Sequence, residues 1–208
     1  MSELRWHPLL AVSAGSRIVL PELVRSVVVE SSRGERLGAR GAQVEWPGGG
    51  SDRLDVVRGP GVGWAEKLFT GRLGEGFCAL YDAGSDSWLS FRFDPRTTPY
   101  VGLWICQGGW PESRDAKHFT VALEPCSGRP DSLAEAAARG ECATLEPRGS
   151  NRWVLEVAIE KQRPMEKRLV RLADGRSLIF YTFPPPARPP ASPLKPAGPA
   201  PALATSDV

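Results

Sequence analysis

Glu124 closes the apolar run Phe119-Thr120-Val121-Ala122-Leu123 and is followed directly by Pro125. A carboxylate placed where a strand leaves its sheet sits at a natural cleft edge, where it can serve as a general base. The same placement also suits a glutamate paired with Arg129 or another cation. Trp104 and Trp110 flank Gln107-Gly108-Gly109 at an expected strand end. Indole faces beside hydrogen-bonding groups suit sugars, whose C–H faces pack on rings while their hydroxyls need partners, although tryptophans in a sandwich also serve as core. His7 and His118 are the only histidines, so a three-histidine zinc site cannot be built.

Other routes to chemistry are closed by spacing. Cys78, Cys106, Cys126 and Cys142 lie 28, 20 and 16 residues apart, which fits neither a zinc-binding pair nor a Cys-x-x-Cys redox pair; free, mostly buried thiols are expected. Gly59-Pro60-Gly61-Val62-Gly63 lacks a following Lys-Ser or Lys-Thr and opens no helix, so it reads as a loop rather than a phosphate cradle. No Gly-x-Ser-x-Gly nucleophile elbow occurs. Six basic residues gather between Lys161 and Arg176, but Glu160, Glu166 and Asp174 interleave with them, as on a solvated face rather than a nucleic-acid patch.

The elements that must position these residues are strands. Gly and Pro together make 42 of 208 residues, and the runs between them are short and rich in Val, Ile, Leu, Phe and Trp, which is the punctuation of an all-β protein. Strands are expected at Leu23–Glu30, Asp52–Arg58, Ala65–Leu73, Tyr100–Gln107, Phe119–Glu124 and Arg152–Ile159. Gly76–Tyr81 and Trp88–Phe93 should pair across a polar loop, with Leu89, Phe91 and Phe93 facing the core. Ser132-Leu133-Ala134-Glu135 is a capping box that predicts one short helix ending near Gly140. Asp174-Gly175 between two strand-like runs predicts a hairpin over 161–183. From 184 to 208, nine of twenty-five residues are proline, and a disordered tail with polyproline II character is expected.

At 208 residues and 22.5 kDa the chain can bury a sizeable core without disulfides. With 26 basic against 24 acidic side chains, the net charge of +2 implies no nucleic-acid partner. No window approaches eighteen uninterrupted apolar residues and the start has no secretory layout, so no membrane partner and a cytoplasmic location are expected.

Four segments together resemble the aldose 1-epimerase (galactose mutarotase-like) superfamily, in its C-terminal portion. They are Trp6-His7-Pro8-Leu9-Leu10, Gly15-Ser16-Arg17-Ile18-Val19-Leu20-Pro21, Pro99-Tyr100-Val101-Gly102-Leu103-Trp104 and, most specifically, Ala122-Leu123-Glu124-Pro125-Cys126-Ser127-Gly128-Arg129-Pro130-Asp131-Ser132-Leu133. The resemblance covers about residues 5 to 160. It implies an all-β fold, a galactose mutarotase-like supersandwich, N-terminally truncated, occupying 1–160, before the hairpin of 161–183 and the tail of 184–208. It also implies that Glu124 takes the proton from a sugar's anomeric hydroxyl while His7 protonates the ring oxygen, so that anomers interconvert without cofactor or metal. Lys67, Trp104 and Gln107, at strand ends near the matched segments, are expected to line the cleft as substrate-binding residues. The family's Asp-His-Asn-type motif has no counterpart between Asp52 and Phe77. Carbohydrate is the expected partner, with self-association through an exposed sheet edge as a further expectation. Keeping both His7 and Glu124 favours an isomerase, whereas the missing N-terminal half of the family's domain favours a truncated, non-catalytic carbohydrate-binding protein.

Overall fold

A computed structural model describes residues 6–50 and 53–161, together with the backbone of 166–171 and 177–182. The chain divides after residue 162 into two units. The first carries β1 (Leu9–Ala11), β2 (Arg17–Val19), β3 (Ser26–Ser32), β4 (Gln43–Glu45), β5 (Trp64–Thr70), β6 (Phe77–Asp82), β7 (Ser87–Phe93), β8 (Tyr100–Gln107), β9 (Phe119–Cys126), the helix α1 (Leu133–Ala138) and β10 (Leu155–Lys161). In the second, β11 (Glu166–Arg171) pairs antiparallel with β12 (Ser177–Thr182). The proline-rich segment from 184 onward lies outside the described residues.

The first unit is an all-β sandwich of two antiparallel sheets. The larger has the order β1-β9-β8-β5-β3-β4 and the smaller β10-β7-β6-β2. Alternation along each strand creates the core. Val27 and Val29, Leu68, Leu103 and Ile105, and Val121 and Leu123 from the larger sheet meet Ile18, Cys78, Leu80, Phe91 and Phe93 from the smaller in one buried cluster. Phe91 and Phe93 face inward as the pattern of β7 requires, and Leu89 packs against the cluster from its margin. Because side chains alternate, the intervening residues of β5, β8 and β9 form the outer face of the larger sheet. There Phe69, Tyr100 and Cys126 make a second, smaller buried cluster.

The helix starts where the capping box places it, with the Ser132 hydroxyl accepting from the Glu135 backbone N–H. Asp52–Arg58 is not a strand over its described part. It contributes a single bridge, Val56 to Arg17, and its backbone instead exchanges hydrogen bonds with residues 15–18 through Asp55 and Val57. The short strands β1, β2 and β4 carry three residues each, too few for alternation to signal them in the sequence. All four cysteines are free thiols; Cys78, Cys106 and Cys126 are buried. Burial pushes the Cys78 thiol well above its ordinary range. Among the described residues no helix is long and apolar enough to cross a membrane, and no group of His, Cys, Asp and Glu side chains could hold a metal ion.

Candidate active site on the outer face of the larger sheet

Antiparallel register brings His7 and Glu124 together. β1 pairs with β9 through Leu9–Ala122, Leu10–Val121 and Ala11–Thr120. Extending that register two residues toward the N-terminus sets His7 opposite Glu124. The chain is held on this course by the Trp6 amide, 3.5 Å from the Pro125 carbonyl, and by the Trp6 indole, edge-on to Phe91 at 5.2 Å. Trp6 thus packs on the core side while His7 takes the outer side and stays half exposed. Pro125 has no N–H to give, and it stands where β9 has run past the end of β1.

Glu124 is fully buried, and each carboxylate oxygen meets a different neighbour. His7 Nδ1 lies 3.1 Å from Oε1, but the approach is not aligned as a hydrogen bond, so a buried oxygen keeps a lone pair unmet. Lys67 Nζ donates to Oε2 in a buried ion pair. Arg129, the cation nearest to Glu124 in sequence, goes elsewhere, donating to the Thr70 carbonyl and to Glu141.

Gly102 makes the pair possible. It stands directly between Phe69 on β5 and Glu124 on β9. A Cβ built there would come within 3.0 Å of Glu124 Oε2 and 3.1 Å of the Phe69 ring. With no side chain in that position, Lys67, one row along β5, reaches diagonally across the sheet to the carboxylate. Its Nζ also lies 5.3 Å from the Phe69 ring centroid. The signal in the sequence was a glycine inside an otherwise continuous strand run, which marks close approach by another group. Only the register says which group.

Among the expected cleft residues, Lys67 and Trp104 are direct cross-strand partners on the outer face, next to Glu124. Gln107 is not brought to them. It shares the parity of Leu103 and Ile105, is buried, and accepts from the Arg58 backbone N–H at 2.7 Å. It therefore braces the loop before β5 from the opposite face. His118 is exposed, with its ring edge-on to Trp110 at 4.8 Å.

No protein-family model matches the sequence, and no curated protein matches it. Two solved structures share its fold. One is the Slr1438 protein from Synechocystis sp. PCC 6803, with a TM-score of 0.54 and 15% identity over 77% of this chain and 45% of that one. The other, from Escherichia coli K12, is described as a "putative aldose 1-epimerase", with a TM-score of 0.52 and 14% identity over 77% of this chain and 50% of that one. The chain therefore shares its fold with these two proteins and spans about half the length of each.

Proposed function

We infer that this protein is an aldose 1-epimerase-like isomerase that binds a free sugar on the outer face of the larger sheet and interconverts its anomers. The observation that carries the reading is the convergence of His7 and Glu124 at 3.1 Å, with an unmet lone pair on a buried carboxylate oxygen. Lys67 occupies Oε2, which leaves Oε1 as the oxygen for an incoming hydroxyl. His7 is the exposed member of the pair and so the one a substrate meets first.

The chemistry requires one base and one acid. Glu124 takes the proton of the anomeric hydroxyl, and His7 in its protonated form gives a proton to the ring oxygen. The bond between C1 and the ring oxygen breaks, yielding an open-chain aldehyde with a free C5 hydroxyl. Rotation about C1–C2 exposes the other face of the carbonyl. The C5 hydroxyl then re-adds, with both proton transfers reversed, to give the opposite anomer. Protons and electrons balance within the sugar and this pair of side chains. A cytoplasmic setting suits a protein whose four cysteines are free thiols.

Polarimetry of freshly dissolved α-glucose and α-galactose tests the proposal. The native protein should accelerate mutarotation in proportion to its concentration, and Glu124→Gln should lower that acceleration about a hundredfold or more. Sugar binding with no acceleration would overturn catalysis and leave the non-catalytic carbohydrate-binding reading in its place.

A further inference from the structure

Beside the Glu124 pair lies a groove of about 220 Å³ with an aromatic wall and a polar rim. We propose that this groove is a second sugar-binding subsite, which makes the preferred ligand a reducing disaccharide or longer oligosaccharide rather than a single hexose. The identification of its neighbour as the reducing-end site rests on the isomerase reading above.

The wall is built from Trp104 and Trp110. Trp104 belongs to the row of the outer face that holds Lys67 and Ala122, one two-residue step along the sheet from Glu124. Such a step is about 7 Å, so the groove and the carboxylate are close enough for adjacent rings of one ligand. Ala65 of β5 continues the groove floor beyond Lys67. The groove and the Glu124 pair thus share one face of the sheet.

Trp110 stands out for being both exposed and held. Its side chain is 46% accessible, yet its ring meets Trp104 edge-on at 6.1 Å and His118 edge-on at 4.8 Å. Its carbonyl accepts from the His118 amide at 2.8 Å. Gly109 lets the segment leading to Trp110 pack directly on β5, because a Cβ there would lie 2.4 Å from the Trp64 carbonyl carbon. An indole held by two perpendicular ring contacts that still leaves nearly half of the residue accessible is a preorganised platform, and little ordering remains to be done when a pyranose packs on it.

The rim supplies what a sugar's hydroxyls require. Ser31 and Ser32 line the β3 side, and Arg33 and Glu112 stand across from one another with Arg33 Nε 3.8 Å from Glu112 Oε1. That exposed pair is long enough to open around an inserted hydroxyl, offering a donor on one side and an acceptor on the other. The β3 side is anchored from behind by Arg36, which donates to Glu66 at 2.8 Å and stacks 3.9 Å above the Trp64 ring.

Isothermal titration calorimetry with maltose, cellobiose and glucose tests the subsite on the native chain, Trp110→Ala and Trp110→Phe. The native protein should bind one of the disaccharides at least tenfold more tightly than glucose. Trp110→Ala should erase that preference and Trp110→Phe should retain most of it. Equal affinity for glucose and both disaccharides, no disaccharide binding, or a preference untouched in Trp110→Ala would each overturn the proposal. The readout is binding, so a protein that selects disaccharides without accelerating mutarotation would refute the isomerase reading and leave the subsite standing.

Discussion

Lys67 and Glu124, 57 positions apart in the chain, form a buried ion pair across the bare backbone of Gly102. Neither partner has water to fall back on, with side-chain exposures of 7% and 0%. The contact therefore governs both the shape of the site and the cost of disturbing it.

Glu124→Gln should remove activity and also lower the melting temperature, because Lys67 then keeps a buried charge without its counter-ion. Breaking a buried pair from one side costs on the order of 3–5 kcal/mol. Adding Lys67→Met to Glu124→Gln should restore much of the stability and none of the activity. Thermal melts and polarimetry on the same three proteins separate the two effects.

His7→Asn should lower the mutarotation rate about tenfold to a hundredfold while leaving the melting temperature nearly unchanged. The imidazole is half exposed and buries no charge of its own, so the fold loses little. A melting temperature that fell as far as that of Glu124→Gln would show His7 to be a structural support instead.

Gly102→Ala brings a methyl to 3.0 Å from Glu124 Oε2 and 3.1 Å from the Phe69 ring, so that both must give way slightly. Overpacking of this kind costs about 1–3 kcal/mol and should displace Glu124 from His7. Activity should fall more steeply than stability. An alanine variant with native activity would show that the carboxylate position is not critical.

Asp82 should make the protein acid-sensitive. Burial alone would raise its pKa, but the hydroxyls of Ser85 and Ser16 and the backbone amides of Ser85 and Ser13 donate to the carboxylate and together hold it well below the usual range. A depressed folded-state pKa contributes stability that is present above the unfolded value of about 3.9 and is lost as pH falls below it. Denaturant melts should show this loss below about pH 4, and Asp82→Asn should be weaker at neutral pH with a flatter acid limb.

Much of the frame was legible from residue types alone. Tyr100–Gln107 is bounded as its run of β-formers suggests, and Ser132 caps the helix because a hydroxyl three residues before Glu135 can reach that amide. Leu89, Phe91 and Phe93 announce an inward face by period two. These features are local, set by propensity and alternation within a few residues. Asp52–Arg58 was misread for the same reason: its β-forming residues are real, but residues 15–18 take its backbone hydrogen bonds one at a time rather than as a ladder.

The site divides along the same line. His7 and Glu124 could be singled out in the sequence through the motifs around them, and Glu124 by its position at the end of an apolar run. Which cation would meet Glu124 could not, because Arg129 is near in sequence and Lys67 is near only through the pairing of β5, β8 and β9. Gln107 shows the converse, since a residue at the right strand end still falls on the inner face when its parity is odd with Leu103 and Ile105. The sequence by itself determined most of the longer strands, the helix and the pool of chemically able residues, all of which depend on short-range pattern. Register between distant strands decided which of those residues share a face, and a one-residue change in parity separates a cleft from a core.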